Sequence, residues 1–129
     1  MPAADPTPPI RDDPRRRRGQ AGEDAALSRY AALGYRLVAR NWRCRLGEID
    51  LLVARGSVLV VCEVKTRRGG AFGRPFEAVT AAKQRKVRSL AEAFLAATRA
   101  DPAEVRFDVA SVTLDARGRP SVHVFEGAF

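Results

Sequence analysis

Two short stretches of the chain set acids among apolar residues: GEIDLLVA, residues 47–54, and VLVVCEVKT, residues 58–66. Glu48, Asp50 and Glu63 lie in or beside runs suited to burial, and Lys65 follows Glu63 by two positions. A carboxylate withdrawn from water without a partner is strongly destabilising or takes up a proton. Oxygen donors of this kind suit Mg²⁺ or Mn²⁺, which retain several waters and share ligation with phosphate groups. Glu48, Asp50 and Glu63 are therefore candidate metal ligands, with Lys65 placed to orient a water or to stabilise charge on a phosphoryl group. Those are the parts needed for phosphodiester hydrolysis. The same charges also fit a simpler arrangement, in which Glu63 or Asp50 pairs with Lys65 or a neighbouring arginine.

Whether the acids meet depends on register. Side chains alternate along a strand, so Glu63 and Lys65 share a face with Leu59 and Val61, and Glu48 and Asp50 share a face of theirs. A loop of Arg55 and Gly56 would pair Glu48 with Glu63 and Asp50 with Val61. A loop over residues 55–58 would set Asp50 opposite Glu63 and Glu48 opposite Lys65. A three-residue loop would separate the acids, because a one-residue slip turns every side chain over. One of the first two registers is expected.

The elements that would position these residues follow from periodicity. A helix is predicted over residues 20–33, with Glu23, Leu27, Tyr30 and Ala31 on one face and Gly34 as its stop. Strands are predicted over residues 35–43, 48–54 and 58–66, the last two as a hairpin about Gly56. After a glycine-containing loop over residues 67–75, Thr80 opens a helix to residue 99 with the apolar stripe Val87, Leu90, Ala91, Phe94 and Leu95. Lys83 and Gln84 border that stripe, either within reach of the sheet or of a phosphate or, equally, as solvated residues of the first turn. Asp101 and Pro102 break the helix, and strands over residues 105–114 and 121–125 close across DARGRP. The order αβββαββ makes an α/β domain with a mixed sheet packed by helices, spanning residues 19–129. Residues 1–18, rich in Pro and Arg, read as a disordered tail whose Arg15–Arg18 run is either a phosphate contact or, the simpler case, a solvated charge run.

The chain has 129 residues, 46% hydrophobic and 29% charged, which fits one domain with its own core. Its formal charge is +8, and Lys65, Lys83 and Lys86 are its only lysines. Arginine forks match phosphate, so nucleic acid is the leading partner and an anionic membrane the second. Cys44 and Cys62 lack CxxC spacing and His123 is the sole histidine, so no zinc pattern exists. There is neither an apolar run of the ~20 residues a membrane span needs nor a signal core, and a cytoplasmic protein with reduced thiols is expected.

The stretches NWRCRLGEIDLLV, VLVVCEVKTRR, VTAAKQRKV, RFDVASV and HVFEGAF resemble the YraN family of small bacterial proteins. Through that family the chain resembles the PD-(D/E)XK nuclease superfamily, nearest in style to Holliday-junction resolvases. The resemblance implies a restriction-endonuclease-like core in which Glu23 is the helix acid, Asp50 the motif aspartate, and Glu63 and Lys65 the E-x-K pair. It implies that Asp50 and Glu63 bind Mg²⁺ with the Val64 carbonyl as a further ligand, that Lys65 serves the attacking water, and that Gln84 matches a polar helix position. Ile49 stands where the superfamily name has proline. The expectation is a DNA-binding protein that hydrolyses phosphodiester bonds with Mg²⁺ or Mn²⁺, branched and nicked DNA being candidate substrates, and that contacts phosphates through Arg67, Arg68, Arg74, Lys83, Arg85 and Lys86. A homodimer would suit a junction with two equivalent strands. The rival readings are a non-catalytic nucleic-acid-binding module and a protein-interaction domain.

Overall fold

Residues 51–54 and 59–62 are unbroken apolar runs, and strands of that kind need cover on both faces. The computed structural model describes residues 14–69 and 79–129, with side chains from residue 19 onward. Residues 1–13, most of the expected tail, lie outside the described residues, as does Arg74. The elements are α1 (Pro14–Ala32), β1 (Arg36–Cys44), β2 (Gly47–Arg55), β3 (Val58–Arg68), α2 (Ala81–Thr98), β4 (Glu104–Leu114) and β5 (Pro120–Phe125). They form one five-stranded sheet in the order β1-β2-β3-β4-β5. Only β3 and β4 run parallel, joined by the crossover through α2 that a parallel pair requires. This is the mixed α/β architecture, in the element order expected of a restriction-endonuclease-like domain.

Each helix covers one face. On one side Val87, Leu90, Ala91 and Phe94 of α2 pack against Ile49, Leu52, Ala54, Leu59 and Val61. On the other, Ala26 and Tyr30 of α1 pack against Leu51, Val53, Val60 and Cys62. The α2 stripe is the expected one, and Thr80 caps it by accepting a hydrogen bond from the Lys83 N–H at 3.1 Å.

For α1 two expectations are corrected. The helix begins at Pro14 and not at residue 20, so residues 14–18, assigned to the tail, are helical. Proline is favoured in a first helical turn and arginine is a good helix former. Ala31 is exposed; the buried line is Gly22, Ala25, Ala26 and Tyr30, and Ala31 lies a further 100° round the axis. Three of those four residues are small, which lets α1 approach the sheet. A Cβ on Gly22 would collide with the Thr66 hydroxyl of β3.

The hairpin register is settled by Arg55↔Val58, Ala54↔Leu59 and Leu51↔Cys62. Gly56 and Ser57 make the turn, with Gly56 at φ 58°, so the pairing of Glu48 with Glu63 does not occur. Asp108 anchors the α1 face from within. It is fully buried, and its carboxylate accepts hydrogen bonds from Tyr30 Oη at 2.7 Å, from Arg106 Nε and Nη2 at 2.9 Å each, and from the Gly127 N–H at 3.0 Å. A buried charge is tolerated when it is paired and hydrogen-bonded in this way.

Candidate functional site

The site begins with a fault in the β-alternation. Leu52 and Ala54 face α2 while Leu51 and Val53 face α1, yet Ile49, which strict alternation assigns to the α1 side, packs with the α2 core. Across the ladder, Ala39 and Trp42 of β1 both pack on the α2 side although their numbers differ in parity. Between them Asn41 adopts φ 52°, a left-handed conformation that asparagine tolerates better than most residues. Both strands therefore change face at one level, and Asp50 lies at that level.

A second irregularity adjoins it. The β2–β3 pairs run from Arg55↔Val58 to Leu51↔Cys62 and stop, although the same register brings Asp50 level with Glu63. The Val64 N–H donates to Asp50 Oδ2 at 2.9 Å, so a side-chain oxygen replaces a backbone carbonyl where the strands part. In the opening is a cavity of about 330 Å³ bordered by Glu48, Asp50, Glu63, Lys83 and Lys86, with Val87 and Leu90 as its apolar floor. A larger cavity, about 540 Å³, lies beside Arg36, Trp42, Phe94 and Pro102, and its lining is mostly apolar with no pair of acids.

Burial governs the electrostatics. It pushes the Asp50 carboxyl up to about 7, aided by the charges of Glu63, Glu23 and Glu48 and opposed by the Val64 hydrogen bond. Glu63, only 6% exposed in its side chain, is also raised by burial, against the pull of Lys83 and then Lys65. Lys83 Nζ stands 3.6 Å from Glu63 Oε2. Glu48 is held by Arg43 Nε at 2.9 Å.

Glu23 comes to this region from α1. Its Oε1 accepts hydrogen bonds from Arg40 Nε at 3.2 Å and Asn41 Nδ2 at 3.1 Å, and its charge is felt at Asp50. Lys65 is half-buried and acts on Glu63 through its charge. Gln84 is turned to its own helix start, where Nε2 donates to the Val79 carbonyl at 3.3 Å. Arg67 is half-buried at the end of β3, while Arg68 and Arg85 are exposed and border neither cavity.

Sequence reasoning did not find Asn41, Arg40 and Arg43, which hold Glu23 and Glu48. The available signal was an asparagine inside a strand, where β-propensity disfavours it and a left-handed residue is tolerated.

Among the described residues, no group of three or more His, Cys, Asp or Glu side chains is gathered to hold a metal ion. Asp50 and Glu63 nevertheless fit Mg²⁺ or Mn²⁺. They supply hard oxygen donors, Asp50 Oδ1 is not used by Val64, and burial beside another acid leaves the charge of Asp50 poorly compensated. Mg²⁺ sites commonly use one or two carboxylates and complete their shell with water and phosphate.

Residues 22–112 match the model of the uncharacterised protein family UPF0102. The chain belongs to the UPF0102 family. The UPF0102 protein of Symbiobacterium thermophilum is 51% identical over 114 residues, covering 88% of this chain and 97% of its own. Those of Acidothermus cellulolyticus and Moorella thermoacetica are each 46% identical, over 121 and 116 residues, covering 86% and 89% of this chain and 92% and 97% of theirs. This is the family the YraN resemblance indicated. The matched span contains Glu23, Asp50, Glu63, Lys65, Lys83 and Lys86. No helix among the described residues is long and apolar enough to cross a membrane.

Proposed function

We propose that this UPF0102 protein binds DNA and hydrolyses its phosphodiester bonds with the help of Mg²⁺ or Mn²⁺. The observation that carries the reading is the meeting of Asp50 and Glu63 where β2 leaves β3, in a concave site bordered by Lys83 and Lys86. When bound there, the metal would polarise a phosphoryl oxygen and lower the pKa of a water. Asp50 and Glu63 would hold it, with Glu48 and the Val64 carbonyl as further candidates. Lys65, close enough to act on Glu63, would orient the water and offset charge building on the phosphoryl oxygens. Glu23, tied to Arg40 and Asn41, adds negative field at Asp50 and so favours a cation there. Lys83 and Lys86 would take backbone phosphates. Such contacts set affinity and salt dependence but read no base, which fits a substrate chosen by shape, such as branched or nicked DNA.

The decisive experiment is incubation of labelled linear, nicked, flapped and four-way-junction DNA with the protein and Mg²⁺ or Mn²⁺, beside Asp50→Asn, Glu63→Gln and Lys65→Ala. Metal-dependent cutting lost in all three variants supports the reading. Binding without cutting on every substrate would replace it with the non-catalytic module.

A further inference from the structure

The chain has 23 Lys and Arg residues together, of which only Lys65, Lys83 and Lys86 are lysines, and all three act at the acidic site. Elsewhere the positive charges are arginines. An ammonium is a compact, mobile point charge on a flexible stem, whereas a guanidinium is a planar fork suited to a fixed bidentate partner. Lysine is the side chain that can exchange one anion for another without rebuilding its surroundings.

Lys83 is placed for such an exchange. Its Nζ lies 3.6 Å from the nearly buried Glu63 Oε2, yet its side chain is 40% exposed, so one end of its range touches the carboxylate and the other is in solvent. Lys86, one turn further along α2, lies beside Gly47 and borders the cavity, and it makes no ion pair with a described residue. An ammonium at Glu63 and a divalent cation on the same carboxylate repel each other, and the third acid bordering the cavity, Glu48, is already paired with Arg43.

We propose that Lys83 is the exchangeable counter-ion of Glu63: it neutralises that carboxylate while nucleic acid is absent and passes to a backbone phosphate when nucleic acid arrives, leaving Glu63 to the metal. The inference rests on the reading of the site as a metal-dependent nuclease and adds how it is regulated. Metal and nucleic acid then bind cooperatively, and linkage requires each to raise the other's affinity by the same factor, typically about 5- to 150-fold. A metal held only when substrate is present confines the hydrolytic state to the complex.

The test measures Mn²⁺ binding by electron paramagnetic resonance and DNA binding by fluorescence anisotropy, with a four-way junction as probe. Lys65→Ala is carried in every protein to stop turnover. Without Lys83 substitution, saturating junction should tighten Mn²⁺ binding by about tenfold. Lys83→Met, and Lys83→Gln as its companion, should bind Mn²⁺ more tightly than the parent without DNA, bind DNA more weakly without metal, and lose most of the coupling. A parent without coupling, or variants whose Mn²⁺ affinity in the absence of DNA is unchanged or weaker, would overturn the exchange. Cleavage by the protein with Lys65 restored, together with absent coupling, removes only the exchange. Coupling without cleavage of any substrate removes only the nuclease reading, and a parent that binds no Mn²⁺ removes both.

Discussion

Asp50→Asn should stabilise the protein at neutral and alkaline pH, a result opposite to that expected for a buried residue with a structural role alone. Burial and the neighbouring acids raise the Asp50 carboxyl from 3.8 to about 7 in the folded chain. A group whose folded pKa lies above its unfolded value contributes its full stability below the unfolded pKa. Between the two values the folded chain holds a proton that the unfolded chain has released, so stability falls as pH rises. Above the folded pKa the loss is complete. A difference of about three units corresponds to ~4 kcal/mol at 1.36 kcal/mol per unit. Asparagine keeps an oxygen for the Val64 N–H and offers its amide to Glu63, while removing the charge. Urea unfolding of parent and variant at about pH 4, 6 and 8 should therefore show no gain at the lowest pH and a gain of about 2–4 kcal/mol at the highest. Mg²⁺ should narrow the gap at the highest pH, because a ligand of the folded state alone stabilises the parent more than the variant. A variant less stable than the parent at every pH, or one whose advantage shrinks as pH rises, would refute the account of Asp50 as a buried, poorly compensated acid.

Asp108 should behave in the opposite way: Asp108→Ala, which strands Arg106 and the Tyr30 hydroxyl, should cost about 3–5 kcal/mol in urea unfolding, and Tyr30→Phe about 1.5–3. Asn41→Gly keeps the left-handed backbone and removes only the hydrogen bond to Glu23, whereas Asn41→Ala loses both. The alanine variant should be less stable by about 1 kcal/mol, with an equal loss of cleavage rate in the two if the amide is what positions Glu23. Gly22→Ala should destabilise by about 1–3 kcal/mol despite the better helix propensity of alanine, because its Cβ meets the Thr66 hydroxyl. Adding Thr66→Ala should restore part of the loss, read by thermal unfolding of the four proteins in the cycle.

The central hairpin and α2 were legible because local signals agreed: two apolar runs, a glycine between them, a threonine cap and a stripe at helical spacing. The register was legible only to two alternatives. Gly56 marks a turn, but whether Arg55 and Val58 close it as a pair is decided by cross-strand packing. The face change at Asn41 and Asp50 was hidden for a related reason. It breaks the period of two in β1 and β2 together, and a compensated break in two strands looks in each alone like loss of pattern. At that level Glu23, 27 positions before Asp50 and tied to Arg40 and Asn41, acts on it through its charge. The start of α1 was missed because its first turns carry arginines with no apolar face, and Ala31 was misplaced because small residues mark a helix face weakly.

The same break gives Asp50 two roles that substitution can separate. Where β2 leaves β3, the Val64 N–H would lose its acceptor if Asp50 did not supply one. Asp50→Ala removes that acceptor as well as the charge, and an unsatisfied buried N–H costs about 1–3 kcal/mol. That cost offsets the relief of removing a buried acid, so Asp50→Ala should be less stable than Asp50→Asn by about 1–3 kcal/mol at every pH. Neither variant keeps the anionic oxygen that a metal needs. Equal loss of cleavage in the two, with stability lowered only in alanine relative to asparagine, would assign hydrolysis to the charge of Asp50 and the opening of the sheet to its hydrogen bond. Cleavage retained by Asp50→Asn would instead reduce Asp50 to a structural acceptor, and leave Glu63 as the acid on which the proposed chemistry depends.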